Sequence, residues 1–176
     1  MLRAIASSAA DSPATALSTL DQVLADLAVH TLVTVTVAVL DPGGAGTMRL
    51  TWSNGGHPPP VLARADGAVE LLARTPERVL GVAPGTHRTD HELAFRPGDT
   101  LLLYTDGLVE RRGAVLDDGF AWLVEELAAI GRRPLDELCD GLLGALGGRV
   151  DDDVALLAVR LPAVPGGQPD AQPGVR

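Results

Sequence analysis

Apolar residues along this chain follow two rhythms, and each predicts a different element. Leu17, Leu20, Leu24 and Leu27 recur at i, i+3, i+7 and i+10, laying one apolar stripe along a 3.6-residue helix. Ser12 is placed to cap it and Pro13 to fill its first position, so a helix is expected from there to about His30. The segment Met1 to Ala10 before it reads as the end of another helix. From residue 31 the period drops to two. In TLVTVTVAVL (31–40), Val33, Val35, Val37 and Val39 face one way and Thr34, Thr36 and Ala38 the other. TMRLTWS (47–53) alternates again, with Met48, Leu50 and Trp52 on one face. The turn Asp41-Pro42-Gly43-Gly44 between them makes a hairpin.

After the loop NGGHPPP (54–60), VLAR (61–64) and VELL (69–72) predict a second hairpin around Ala65-Asp66-Gly67-Ala68. A third is expected from HELAF (91–95), the turn Arg96-Pro97-Gly98-Asp99, and TLLLYT (100–105). TLLLYT is nearly all apolar and should be buried on both faces. Two helices follow. One spans about 117–130, with Phe120, Leu123, Val124 and Leu127 on one side and Gly131 as its stop. The other spans about 134–146, with Leu135, Leu138, Leu142 and Leu146 in register. VALLAVRL (154–161) is the last strand and reads as buried. The rest, 162–176, is rich in Pro, Gly and Gln and is expected to be a disordered tail. No internal repeat is visible. Strands in hairpin order with segregated helices predict an α+β layered domain, not an alternating βαβ fold.

Composition narrows the function classes. The chain has 176 residues, of one-domain size, and 46% of them are apolar, enough for a core. No stretch approaches the ~20 apolar residues of a membrane span, and the opening MLRAIASSAADSP does not read as a signal peptide. All 14 basic residues are Arg. Against 23 acids they leave a net charge of −9, with no basic run beyond Arg111-Arg112 or Arg132-Arg133. That excludes an ordinary nucleic-acid binder. Cys139 is the only cysteine, which rules out an internal disulfide or a Cys-based zinc site and fits a cytoplasmic setting.

Two acidic positions stand out. Asp106 follows strand 100–105 directly, and Asp151, Asp152 and Asp153 lie just before strand 154–161. If those strands are antiparallel neighbours, the acids meet at one sheet edge. Gathered carboxylates repel one another unless a charge offsets them, and an all-oxygen set suits Mg²⁺ or Mn²⁺. Gly107 permits close backbone approach there. Taken one at a time, the same features read as a turn and a solvated acidic loop. His57 can serve as a general acid, or hydrogen-bond to backbone and fix its loop; the second reading is favoured, because no partner is evident nearby in sequence. Glu110 can assist a metal-held water or stand in solvent. Neither a Gly-x-Ser-x-Gly nucleophile motif nor a phosphate-binding Gly-x₄-Gly-Lys loop occurs.

Four blocks in order resemble one family: LVTVTVAVLDP (32–42), SNGGHPPPVL (53–62), RPGDTLLLYTDGLVE (96–110) and DDDVALLAVRL (151–161), with RVLGV (78–82) between the second and third. They resemble the metal-dependent SpoIIE/RsbU-type protein phosphatases of the PPM superfamily, over about residues 14–161. The resemblance implies an antiparallel β-sandwich flanked by helices across 1–161. It also implies two Mn²⁺ or Mg²⁺ ions, and direct attack of water on phosphoserine or phosphothreonine. By it, Asp106 and Asp152 are ligands of one metal, Asp153 is the adjacent acid and Asp151 is a flanking extra; Gly107 and His57 stand beside them as auxiliary candidates from the residues themselves.

The implied substrate is a phosphorylated anti-sigma-factor antagonist in bacterial partner switching. The family's front blocks, Gly-Gly-Asp-x-Tyr/Phe-Asp and Gly-Asp-Val-x-Gly-His-Gly, do not occur in these 176 residues. The chain therefore reads as the rear portion of a larger domain, without the carboxylate that bridges the metals, and little or no activity is expected of it alone. The alternative expectation is a catalytically inactive module that binds a regulatory partner. Open sheet edges are expected to favour oligomers.

Overall fold

The computed structural model describes residues 12–29, 31–44, 46–111, 113, 115–147 and 152–162. The expected helix end over Met1 to Ala10, the acid Asp151 and the tail from 163 onward lie outside the described residues. Helix α1 (Pro13–Asp26) starts as its sequence dictates: Ser12 Oγ accepts the Thr15 amide at 3.3 Å, with Pro13 in the first turn. It stops short of the expected His30, because Ala28 turns to a left-handed φ of 51°. Leu17, Leu20 and Leu24 are buried as expected, but Leu27 lies past the helix and is 61% exposed.

Strands β1 (Val35–Pro42) and β2 (Met48–Gly55) form the first expected hairpin, with Val35 opposite Gly55 and Pro42 opposite Met48. Strands β3 (Val61–Ala63) and β4 (Val69–Leu71) form the second. The third expected hairpin does not form. Strand β5 (His91–Phe95) pairs with β2, whereas β6 (Thr100–Tyr104) pairs with β3 and with β7 (Leu156–Arg160).

The turn between β5 and β6 therefore crosses from one sheet to the other, and Asp99 explains how. Its carboxylate is buried and accepts from the Arg96 amide (2.9 Å), the Ala65 amide (3.0 Å) and the Arg64 guanidinium (2.9 Å). The Asp99 carbonyl accepts the Leu161 amide, and the Gly98 amide donates to the Leu161 carbonyl. The turn is thus fastened to sheet two rather than left free to close a local ladder.

The result is four layers. Sheet one runs β1-β2-β5 and sheet two runs β4-β3-β6-β7. Between them lie Leu50, Trp52, Leu62, Leu72, Phe95 and Leu101. Outside sheet one, α1 packs Leu17, Leu20 and Leu24 on Val35 and Leu80. Outside sheet two, α2 (Leu116–Ile130) and α3 (Leu135–Ala145) cover Val61, Leu102 and Tyr104. Alternate residues of β1 serve two cores, Val35 and Val37 under α1 and Ala38 and Leu40 between the sheets. Strand β6 is central and buried, as its apolar run predicts. Strand β7 is not: it lies at the end of the sheet, and Leu157 is 56% exposed. Its apolar sequence is spent on one covered face only. Among the described residues no helix is long and apolar enough to cross a membrane.

Candidate functional site

The site lies where β6 and β7 run out of ladder. Their last pair is Tyr104 with Leu156, and a side chain continues the pairing. The Thr105 amide donates to the Ala155 carbonyl (3.1 Å). Thr105 Oγ1 accepts the Ala155 amide (2.9 Å) and donates to the Asp153 carbonyl (3.0 Å). One hydroxyl therefore pins the Asp152-Asp153 loop beside the start of the Asp106–Leu108 3₁₀ turn. That turn is closed by the Val109 and Glu110 amides, both donating to the Asp106 carbonyl (2.8 and 2.7 Å).

The antiparallel arrangement expected from sequence is present, and it brings Asp106 and Asp152-Asp153 to one edge. The approach is close enough to exclude a side chain at Gly107. A Cβ there would lie 2.8 Å from the Asp153 carbonyl oxygen and 3.1 Å from that of Asp152. Asp106 Oδ1 accepts the Gly107 amide (3.0 Å), and Asp152 Oδ1 accepts the Asp153 amide (2.7 Å). Each carboxylate thus shapes its own loop through one oxygen while the residue stays exposed. The Asp153 side chain is exposed too, and its tie to β6 is through its carbonyl. Glu110 is exposed and joins the turn only through its amide.

His57 reaches this edge from the other sheet. An Asn54 side chain clamps its backbone: Oδ1 accepts the His57 amide and Nδ2 donates to the His57 carbonyl, both at 2.7 Å. The ring spans from Thr34 Oγ1 (3.0 Å from Nδ1) to the Tyr104 carbonyl (3.0 Å from Nε2). A carbonyl only accepts, so Nε2 carries the proton and Nδ1 accepts from the Thr34 hydroxyl. Burial pushes the imidazole pKa below its ordinary 6.5, against the Tyr104 carbonyl bond and the Asp106 charge, which raise it. Both ring nitrogens are thus engaged, one from the sheet-one side and one from the end of β6.

A cavity of about 230 Å³ opens beside it, lined by Trp52, His57, Arg74, His91 and Phe120 among others. Arg74 stacks over Trp52 at 5.2 Å, and His91 lies 5.4 Å from the same ring.

Sequence reasoning passed over Thr105, Thr34 and Asn54. Asn54 carried a usable signal, a side chain able to turn the loop ahead of Gly-Gly-His. Thr105 and Thr34 had none, since their roles depend on which strand lies alongside.

The donor set can be weighed against a metal. Among the described residues no three His, Cys, Asp or Glu side chains converge into a cluster that could hold one. Asp106 and Asp152 supply two carboxylates beside a backbone cradle that a Cβ would fill. Carboxylate oxygens of this kind are what a hard divalent cation such as Mg²⁺ or Mn²⁺ prefers.

Comparison with known proteins places the chain. The family Stage II sporulation protein E (SpoIIE) matches residues 1–162. The crystal structure of the RsbU and RsbW domains of Rv1364c from Mycobacterium tuberculosis is 33% identical. It superposes with a TM-score of 0.79 over 93% of this chain and 46% of its own. The phosphatase domain of SpoIIE from Bacillus subtilis, at 16% identity, shares the fold with a TM-score of 0.60 over 95% of this chain and 74% of its own. Protein IcfG of Synechocystis sp. is 30% identical over 116 residues. The chain spans about half the length of the solved mycobacterial chain, which holds those two domains, and 18% of the cyanobacterial protein. A family match over nearly the whole chain, on a helix-flanked antiparallel sandwich, makes this protein a member of the SpoIIE family, an RsbU-like domain of the PPM phosphatase type.

Proposed function

We propose that this domain belongs to the hydrolysis of phosphoserine or phosphothreonine on a regulatory protein. The observation that carries the reading is the joined edge, where Thr105 ties the Asp152-Asp153 loop against Asp106 and Gly107. Asp106 and Asp152 would hold a Mn²⁺ or Mg²⁺ ion. When bound, such ions neutralise phosphoryl charge and make a water a better nucleophile. The chain's own part is to present two carboxylates without a side chain at Gly107 in the way. His57 is neutral and doubly bonded, so it braces the site rather than delivering a proton.

The target in this reading is an anti-sigma-factor antagonist, in a cytoplasmic setting. Support comes from the relative in which RsbU and RsbW domains share one polypeptide.

The 176-residue chain alone should turn over little substrate, because two carboxylates make half of a two-metal donor set. Hydrolysis of an aryl phosphate with added Mn²⁺ tests this, in the chain and in Asp106→Asn. Robust turnover abolished by Asp106→Asn would overturn the expected inactivity and leave the phosphatase reading standing. The shortfall of ligands also favours a second reading, a module that binds its regulatory partner without chemistry. Stable binding of the phosphorylated antagonist with no phosphate release supports it.

A further inference from the structure

We propose that His57 is a positioning residue that sets the place of Asp106, through a brace running from Thr34 in one half of the sandwich to Tyr104 in the other. Three observations converge on it. First, the ring joins chain segments of different sheets. Thr34 precedes β1 of sheet one, and Tyr104 ends β6 of sheet two. Second, the backbone that carries the ring is anchored, because Asn54 holds the His57 amide and carbonyl at once. Third, its anchor is the carbonyl two residues before Asp106. Beyond the bonds of its own 3₁₀ turn from the Leu108, Val109 and Glu110 amides, the main chain from Tyr104 to Asp106 is held on the β7 side, by the Tyr104–Leu156 pair and the contacts of Thr105 with Ala155 and Asp153 ahead of β7. The two attachments pull from different elements and together fix where the Asp106 turn begins.

Thr34 is the distal end of the brace. Its neighbours Val33 and Val35 pack under α1 with Leu17, Leu20, Leu24 and Leu80. The brace therefore refers the acidic edge to the α1 side of the molecule, across the whole sandwich. The role in metal binding rests on the reading of Asp106 as a ligand; the brace itself does not.

Amide hydrogen exchange and Mn²⁺ titration of the 176-residue chain test it separately. The variants are His57→Ala, His57→Gln and Thr34→Val. Glutamine can donate an N–H to the Tyr104 carbonyl and accept the Thr34 hydroxyl. In metal-free His57→Ala the Thr105 and Gly107 amides should exchange about tenfold faster, with Leu127 in α2 unchanged, and His57→Gln should restore most of the protection. Mn²⁺ affinity should fall about tenfold in His57→Ala and recover in His57→Gln.

Equal acceleration at Leu127 would mean a general loss of stability and would overturn the proposal, as would unchanged exchange at Thr105 and Gly107. If wild type takes up no Mn²⁺, the ligand reading of Asp106 fails, while the exchange data still decide the brace. Should His57→Ala not fold, Thr34→Val tests the brace from its far end. A rise of about threefold at Thr105 and Gly107 supports it, and no rise overturns it.

Discussion

Gly107 has no room for a methyl group. Its virtual Cβ meets two carbonyl oxygens of the neighbouring loop, and backbone yields less easily than a side-chain tip. Gly107→Ala should therefore cost about 1–3 kcal/mol in urea denaturation and push the Asp106 and Asp152 loops apart, which Mn²⁺ titration would register as weakened binding. His57 gives a prediction in pH. Burial lowers its folded pKa below 6.5, outweighing the raising influence of Asp106, while Arg74, Glu77 and His91 line the cavity next to it. Between the folded value and about 6.5 the unfolded chain binds the extra proton, so stability rises with pH across that window. The contribution is complete above about 6.5 and is lost as pH falls through the folded value. His57→Gln has no such titration. The stability gap between wild type and His57→Gln should narrow on acidification, as read from urea midpoints. Asp106, Gly107 and Asp152 were legible as residues, because an acid at each strand end is visible in one dimension. That Thr105 fastens one loop to the other was not, since a hydroxyl reveals nothing until a neighbouring amide and carbonyl are placed beside it.

Helix α1 shows how an element is held by two kinds of force. Three buried leucines contribute about 2 kcal/mol each through area removed from water. Between them, Asp21 accepts the Gly81 amide (2.8 Å) and the fully buried guanidinium of Arg88 (3.1 Å), which also donates to the Arg78 carbonyl. A buried pair adds little net stability, but a broken one leaves a stranded charge. Asp21→Ala should cost about 3–5 kcal/mol. The double variant Asp21→Leu with Arg88→Met should lose less than the sum of the two single changes, by chemical denaturation. None of this was legible from the α1 stripe, which shows a single acid among leucines and nothing of an arginine 67 residues away. The same limit defeated the third hairpin. Arg96-Pro97-Gly98-Asp99 has turn chemistry, and a turn forms; the sequence pattern does not say that Asp99 is fastened to Ala65 and Leu161.

As a whole, the molecule is a sandwich whose second sheet ends in a half-covered strand. Leu157 of β7 is 56% exposed on that end, and open apolar edges tend to pair. We expect concentration-dependent self-association by sedimentation or light scattering, reduced by Leu157→Lys. A wild-type chain that stays monomeric throughout would refute it. At this scale the sequence by itself determined the periods of seven strands and three helices, the acidic surface, and the placing of acids at the ends of two strands. Those features follow from side-chain polarity and local backbone preference, which act between residues close in the chain. Only the tertiary structure decided that β5 and β6 part into different sheets, that β7 lies at an edge, and that a histidine in one loop braces the strand ahead of Asp106. Each of these rests on a hydrogen bond or a packing face supplied by a distant segment, and periodicity carries no record of which segment that is.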